Sequence, residues 1–113
     1  EMSLKQSGSQ TLLLVQKNPN QESRTFYDFK TLDKCIEFIV KTYEDQLRLE
    51  RPDRITFTYD LSELYDYIES IPEIICLVFT EETRTFAPHN KDWIKSKVYK
   101  FLNKQITPIQ IPQ

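Results

Sequence analysis

The side chains best suited to catalysis or metal binding are scarce in this sequence. His89 is the only histidine, so any Ser-His or Cys-His pair must use it, and its neighbours in APHNKD include no partner at a diagnostic spacing. Gly8 is the only glycine, which excludes a glycine-rich loop that cradles a phosphate. We therefore predict no catalytic residue, no metal site and no cofactor, and we expect the protein not to be an enzyme.

The two cysteines favour a structural role over a redox or metal role. Cys35 and Cys76 stand apart, without a CxxC motif or a metal-ligand spacing. Both lie within apolar patterns, where a thiol behaves as a small hydrophobic group. Unpaired thiols of this kind indicate a reducing, intracellular compartment.

A basic, aromatic segment near the C-terminus is the strongest candidate for a binding element. The stretch PHNKDWIKSKVYKFLNKQ (88–105) contains the only Trp, and residues 91–104 carry five Lys and one Asp. Residues 1–90 carry ten Lys or Arg and sixteen Asp or Glu, so the net charge of the chain is −2. A domain that binds nucleic acid through its backbone phosphates is usually strongly basic, and this chain is not.

At helical spacing the same segment has an apolar stripe and a cationic border. The stripe comprises four residues: Ile94, Val98, Phe101 and Leu102. Trp93 falls beside the stripe, on the edge shared with Lys97, Lys100 and Lys104. Trp93, Lys97 and Lys100, together with Tyr65, are therefore candidate partner-binding residues, suited to an acidic peptide or to nucleic acid. The favoured interpretation is structural, with Trp93 covering the core and the lysines solvating the helix.

The periodicity of the chain predicts the element order ββααββα. The predicted strands are 10–17, 24–29, 74–79 and 84–87, the last of them closed by Pro88. Thr31 caps a predicted helix that runs to about Leu49. Asp60, with Glu63 three residues later, begins a second helix that ends before Pro72, and NKDWIK opens the third. This order predicts an α+β domain in which three helices gather on one face of a four-stranded antiparallel sheet.

Both faces of the predicted sheet are apolar. Alternate residues of a strand point to opposite faces, so Leu13 and Val15 lie on one face of LLLV while its other two residues lie on the opposite face. An antiparallel sheet that faces water on one side usually alternates apolar and polar residues, and these strands do not. Self-association through the second face is favoured over cover by a helix or loop of the same chain. The candidate dimer-interface residues are Leu12, Leu14, Ile75 and Leu77.

The length of the chain predicts a single folded domain. We expect residues 1–10 to form a flexible tail, in which Glu1, before Met2, is a remnant of cloning, and residues 106–113 to form a second tail. The domain then spans residues 11–105. No apolar run approaches the roughly 20 residues of a membrane span, and the first residues lack the apolar core of a signal peptide.

Several short motifs carry a resemblance to a known family. They are LLVQ (13–16), RT (24–25) followed by Asp28, YE (43–44), TYDLS (58–62), CLV (76–78) and NKDWIK (90–95). In this order and spacing, the chain resembles the enhancer of rudimentary homolog family from about residue 11 to residue 105. NKDWIK and TYDLS are the most specific of these motifs.

The resemblance implies a fold, an oligomeric state and a class of function. Family members are small α+β proteins with three helices on one side of a four-stranded sheet, and they form homodimers through their sheets. The first strand helps to build that dimer, which places Leu12 and Leu14 at the interface. The family has no known enzymatic activity. Its members act as adaptors that bind short segments of RNA-processing proteins in splicing, transcript elimination, microRNA processing and other small-RNA pathways such as that of piRNAs.

Some positions depart from the family pattern. The loop NPNQES lacks a glycine that is common there, and His89 stands where an aromatic residue is common. Of two sites proposed in the family for casein kinase II, Thr25 keeps the acidic residue three positions on, whereas Thr31 has Lys34 there. Thr25 is therefore the candidate phosphorylation site. The departures indicate a diverged member whose partners differ.

The sequence as a whole predicts a homodimeric adaptor located in the nucleus, with the cytoplasm as a further location. Its expected partners are a second copy of itself and peptide segments of RNA-processing or small-RNA pathway proteins. Direct RNA or DNA binding by the basic C-terminal helix is the alternative. We expect no membrane association and no small-molecule substrate.

Overall fold

The fold predicted from the sequence is confirmed by a computed structural model, which describes residues 10–53 and 59–110, with side chains as far as residue 104. The strands are β1 (Thr11–Gln16), β2 (Arg24–Phe29), β3 (Glu73–Thr80) and β4 (Thr85–His89). The helices are α1 (Leu32–Glu50), α2 (Leu61–Ser70) and α3 (Lys91–Gln110), and a short 3-10 turn (Gln21–Ser23) precedes β2. The predicted N-terminal tail, Gln10 apart, and residues 111–113 lie outside the described residues.

The four strands form one antiparallel sheet in the order β2-β1-β3-β4. Strand β1 is therefore central, with β2 on one side and β3 on the other. Leu13 of β1 lies between Tyr27 and Cys76, its partners on the two neighbouring strands. Residues at equivalent positions share a face of the sheet, so this register assigns every sheet side chain to one face or the other.

The core lies between the helices and one face of the sheet. The buried sheet residues Leu13, Val15, Ile74 and Cys76 all belong to that face. Helices α1, α2 and α3 contribute the rest of the cluster: Cys35, Ile36, Ile39, Val40, Tyr43, Leu47, Leu64, Ile68, Ile94 and Val98. The apolar stripe predicted for α3 is confirmed, because Ile94 and Val98 are buried and Phe101 and Leu102 pack partly buried against the core.

A side chain caps the start of α1, as the sequence predicts, but no side chain caps the start of α2. The Thr31 hydroxyl accepts a hydrogen bond from the Lys34 N–H, which is the predicted cap of α1. Asp60 occupies the N-cap of α2, but its carboxylate makes no capping hydrogen bond. Burial, and then the negative charge of Glu63, raise the pKa of Tyr43 on the neighbouring helix α1. The predicted start of α2 at Asp60 is therefore confirmed, but the helix begins without a side-chain cap.

The prediction that β4 covers residues 84–87 and ends at Pro88 is wrong at both ends. Arg84 has φ 58°, in the left-handed region, so it belongs to the turn, and β4 begins at Thr85. Pro88 lies inside the strand, opposite Leu77, and His89 follows opposite Cys76. A proline lacks an N–H donor, and it is tolerated here because β4 is at the edge of the sheet.

Thr11 generates a testable prediction about stability. Its side chain is fully buried, and its hydroxyl has no hydrogen-bond partner in the part of the chain that the structure describes. Because a buried, unpaired hydroxyl is destabilising, Thr11→Val, which keeps the shape and removes the polar atom, should raise the free energy of unfolding by about 1 kcal/mol. Urea unfolding of both proteins measures the difference.

The matched control is Thr85→Val, since Thr85 is also a strand residue but is exposed and shares a hydrogen bond with Thr83. That change should not stabilise the protein. A loss of stability on Thr11→Val would contradict the interpretation and would show that the buried hydroxyl has a partner.

Candidate interaction surfaces

The sheet face turned away from the helices, which we call the open face, is apolar at its centre on the two middle strands. Leu12 pairs with Leu77, and Leu14 pairs with Ile75, so the four residues suggested by the sequence as a dimer interface form one block on the two central strands. All four are only partly buried, whereas their neighbours toward the helices are buried. None of the four belongs to the hydrophobic core, so the described helices leave this block uncovered.

Aromatic side chains extend the open face toward both sheet edges. Phe26 of β2, opposite Leu14, is 65% exposed. On the other side, the rings of Phe79 and Phe86 meet edge to face at 5.5 Å. Large exposed aromatic groups around aliphatic residues are typical of protein interfaces. The sequence did not predict an interface role for Phe26 or Phe86.

Polar groups close one end of the open face. Gln16, at the end of β1, accepts a hydrogen bond of 2.7 Å at its side-chain oxygen from the Arg24 side chain. Glu73 lies opposite Gln16 on the other neighbouring strand. The open face therefore has an apolar centre and a hydrogen-bonded polar border, which is the usual composition of an interface.

A groove lies on the helix side of the sheet, among the described residues. It encloses about 530 Å³ between α1 and α2, above β1 and its neighbouring strands. Its lining is mostly apolar, with a few polar groups at its rim: Leu13, Val15, Lys17, Tyr27, Phe38, Ile39, Thr42, Asp45, Gln46, Leu49, Tyr67, Ser70, Ile71 and Ile74. Concave, apolar sites with a few polar groups are the usual binding sites of peptides and small ligands.

This groove was not predicted from the sequence, although the sequence contains one signal of it. Phe38 and Leu49 are apolar residues of α1 that do not belong to its buried side, and both line the groove. Leu49 is 83% exposed, the highest value among the large apolar side chains described as exposed. Apolar residues off the buried side of an amphipathic helix indicate a surface available to a partner.

Trp93 is part of a stack at the start of α3. Its indole lies against the His89 imidazole at 3.8 Å with 14° between the planes, and the Lys97 ammonium is 5.1 Å from the indole centroid. The side-chain oxygen of Asn90 accepts a hydrogen bond from the backbone N–H of Trp93 and so caps the helix. Trp93 is partly buried and packs against the core, and its ring already contacts two side chains of its own chain.

Tyr65 makes a separate contact with α3. Its hydroxyl donates to the Lys95 carbonyl at 3.3 Å, and the Lys95 ammonium is 5.8 Å from its ring. Lys95 also forms an ion pair with Glu69, which lowers the pKa of that carboxyl and raises the pKa of Lys95. Of the suggested partner-binding residues, the structure thus joins Trp93 to Lys97 and places Tyr65 against Lys95.

The lysines of α3 are largely engaged by other groups of the chain. Besides Lys95 and Lys97, Lys91 donates to the Glu69 carbonyl and Lys104 contacts Asp33 of α1 at 2.8 Å. Lys100 is exposed. The basic segment therefore ties α3 to the other two helices instead of presenting a uniform cationic face.

Three further predictions concern phosphorylation, metal binding and a membrane span. Thr25, the candidate phosphorylation site, is exposed on β2 and donates its hydroxyl to the Ser23 carbonyl at 3.3 Å. Within residues 10–53 and 59–110, no group of three or more His, Cys, Asp or Glu could hold a metal ion. No helix in that part of the chain combines the length and apolarity needed to cross a membrane.

The stack at Trp93 generates a prediction about pH. Burial, and then the positive charge of Lys97, lower the pKa of His89 below its ordinary value of 6.5. As the pH falls through this window, the unfolded chain takes up the proton before the folded chain does, so the free energy of unfolding should decrease. Above the pKa that His89 has in the unfolded chain, the imidazole is neutral in both states and this loss of stability disappears. Because the chain has one histidine, an NMR titration of the imidazole reads the pKa directly.

Lys97→Met tests how much the charge of Lys97 lowers the pKa of His89, since the change removes the ammonium and keeps an apolar side chain over the indole. The pKa of His89 should rise toward 6.5 in this variant, and the loss of stability in acid should shrink. Lys100→Met, a change of the same kind on the same helix, should leave the titration unchanged. A wild-type His89 pKa above its ordinary value would contradict the prediction.

Comparisons with known proteins agree on one family. The family model described as enhancer of rudimentary matches residues 7–108. The chain is 44% identical over 96 residues to the protein enhancer of rudimentary of Drosophila virilis, covering 85% of this chain and 92% of the relative. It is 40% identical to the enhancer of rudimentary homolog of Dictyostelium discoideum over 96 residues, or 85% and 96% of the two chains. The chain therefore belongs to the enhancer of rudimentary family.

Proposed function

We propose that this protein is a non-enzymatic homodimeric adaptor in RNA metabolism. Two copies pair through their open faces, and each copy offers its groove to a short segment of a partner protein. The observation that carries the proposal is the open face, an apolar surface on the central strands that no described helix covers. The RNA-processing context, in splicing, transcript elimination or small-RNA biogenesis, and a nuclear location come from what membership in the family implies.

The geometry of the open face suits self-association. A stable interface hides about 800 Å² on each partner, and a four-stranded sheet with large side chains on one face can supply that area. The centre of the open face, where burial contributes most to binding, is formed by Leu12, Leu14, Ile75 and Leu77. Two-fold pairing brings the same surface together from both copies, so the apolar centre of one copy would meet that of the other.

The groove suits a short apolar segment of a partner. Its floor includes Leu13, Val15 and Ile74, and its walls come from different helices, with Leu49 exposed at the rim. A peptide that places one or two large apolar side chains in the groove would bury them against this floor. Lys17 and Asp45, of opposite charge, lie in the lining and would select polar groups of the peptide.

The arrangement also explains how one small domain can assemble a complex. The open face and the groove lie on opposite sides of the sheet, so pairing of two copies leaves both grooves available. A dimer with two equivalent sites binds a bivalent partner more tightly than one site does, without new contacts.

Direct nucleic-acid binding by α3 is the alternative, and the contacts of its lysines argue against it. Lys91, Lys95 and Lys104 contact groups of α1 or α2, and Lys97 lies over Trp93. Phosphate binding would have to break several of these contacts. The net charge of −2 also opposes a general attraction to nucleic acid.

The dimer is tested by placing charges at the centre of the open face. Leu12→Arg combined with Leu14→Arg should raise the dimer dissociation constant at least roughly 100-fold, because two arginines per copy would be buried without partners. Light scattering coupled to size exclusion should then give the mass of one chain, 13.5 kDa, where the wild type gives twice that mass.

The matched control is Leu49→Arg, which adds a charge at an exposed leucine on the other side of the sheet and should leave the dimer intact. Circular dichroism confirms that the variants are folded. A monomeric wild type at micromolar concentration would contradict the proposed dimer, and a dimeric double variant would show that pairing uses another surface.

The groove is tested with a partner peptide, obtained by pull-down from a nuclease-treated lysate, mass spectrometry and peptide mapping. Ser70→Arg should weaken binding of the mapped peptide roughly tenfold or more, because a long charged side chain would enter the groove. Calorimetry with the purified protein measures the change. The variant should remain dimeric.

Ser96→Arg is a closely matched control. Both serines are exposed helical residues whose hydroxyls donate to the carbonyl three residues earlier, at 2.6 Å for Ser70 and 2.7 Å for Ser96. Only Ser70 lines the groove. Equal effects of the two changes, or none from Ser70→Arg, would place the peptide site elsewhere.

A further inference from the structure

The two edges of the sheet differ in how well they are protected against a further strand. Strand β4, at one edge, contains Pro88, and a proline without an N–H donor is one of the residues that guard an edge. Strand β2, at the other edge, has six residues and no proline, and each of them is at least partly exposed. An edge strand leaves alternate backbone N–H and C=O groups without a partner in the sheet. Among the described residues, β2 is therefore the edge that can accept another strand.

One face of β2 carries a cation, an aromatic ring and an anion at equal spacing. Arg24, Phe26 and Asp28 are alternate residues of the strand, so their side chains share a face. Phe26 lies opposite Leu14, which places all three on the open-face side of the sheet. All three are exposed. The edge thus presents an ordered set of groups to a neighbouring strand.

We propose that the β2 edges of two copies of this chain pair antiparallel about Phe26, so that their sheets join into one. Two identical antiparallel strands are related by a two-fold axis perpendicular to the sheet, and the residue at the axis lies opposite itself. With Phe26 at the axis, Arg24 of each copy lies opposite Asp28 of the other, and the two phenylalanine rings are neighbours. The strand is therefore complementary to itself in charge.

Charge selects this register over the neighbouring ones. Moving the axis by one residue shifts the pairing by two, so the side chains stay on the same face. A move toward the N-terminus brings Asp28 opposite Glu22, and a move toward the C-terminus brings Arg24 opposite Lys30. Like charges directly opposite each other destabilise a strand pair. Of these three positions of the axis, Phe26 is therefore the one that brings unlike charges together.

Both charged groups can form such a pair. The Nε of Arg24 donates to the side-chain oxygen of Gln16 at 2.7 Å, and within the described part of the chain no hydrogen bond uses the two terminal nitrogens of the guanidinium. Asp28 takes part in none of the ion pairs among the described residues. The bond to Gln16 also orders the Arg24 side chain before the copies meet, which reduces the entropy lost on pairing.

Edge pairing is separate from the proposed dimer, which is centred on β1 and β3, and it is weaker. A pair of six-residue strands buries less than the roughly 800 Å² per partner of a stable interface, so we expect a dissociation constant on the order of 100 μM. A second two-fold contact can link open-face dimers into larger assemblies, and it can equally join two single chains. The proposal therefore does not depend on the proposed adaptor function.

Exchange of charge across the two-fold axis tests the pairing. Arg24→Asp and Asp28→Arg each place like charges opposite one another at two positions of the pair, so each variant should associate through the edge at least roughly tenfold more weakly. An equimolar mixture of the two variants restores unlike charges at both positions and should associate as well as the wild type does. Sedimentation equilibrium at concentrations up to roughly 1 mM, well above the expected dissociation constant, measures the average mass.

Thr85→Asp is the matched control, since it adds a charge at an exposed residue of the other edge strand and should leave the association unchanged. NMR of the isotope-labelled wild type locates the contact: on concentration, the backbone amide signals of β2 should shift and those of β4 should not.

Four results would overturn the proposal. They are an average mass that does not rise with concentration, a mixture of the two variants that associates no better than either alone, amide shifts confined to β4, and β2 amides that respond to a partner peptide but not to concentration. The last result would assign the edge to a different protein.

Discussion

Strand β1 imposes the constraint on which the rest of the structure depends, because it is apolar on both faces and lies between two other strands. Because β1 has a neighbouring strand on each side, its apolar side chains lie in the middle of both faces of the sheet. Leu13 and Val15 need cover on one side, while Leu12 and Leu14 need it on the other. The helices satisfy the first requirement within the chain. The second leaves the open face, and with it the argument for a partner.

The helix layer is held to the sheet mainly by apolar contact. Ion pairs such as those of Lys95 with Glu69 and Lys104 with Asp33 lie at the surface, where such pairs contribute little to stability. Their effect is to orient α3 against its neighbours. Between α1 and α2, Tyr67 has two roles: its ring packs against Tyr43 at 5.0 Å, and it lines the groove. The groove is thus supported by the packed core beneath it.

The two candidate surfaces fit an adaptor because they do not compete. In the proposed assembly, the open face is used between copies of the chain, while the groove on the opposite side of the sheet receives a segment of another protein. The basic helix α3, which first suggests a nucleic-acid element, contributes Ile94 and Val98 to the core and uses its lysines to contact α1 and α2. Its role in the described structure is mainly structural.

The sequence by itself determined the order of the elements, the class of fold and the apolar character of both sheet faces. Periods of two and of about 3.6 residues are local properties, so strands, helices and their buried sides could be predicted from neighbouring residues. The resemblance carried by NKDWIK and TYDLS identified the family. The four candidate interface residues came from the same alternation, and the structure places them together on the open face.

Only the tertiary structure decided features that depend on residues distant in the chain. Pro88 is accepted within β4 because that strand has a free edge, and Asp60 occupies the N-cap of α2 without a capping hydrogen bond from its side chain. The groove exists because residues of α1, α2 and three strands converge. Local patterns specify which side of each element is apolar. Packing in three dimensions specifies which of those sides meet and which stay uncovered.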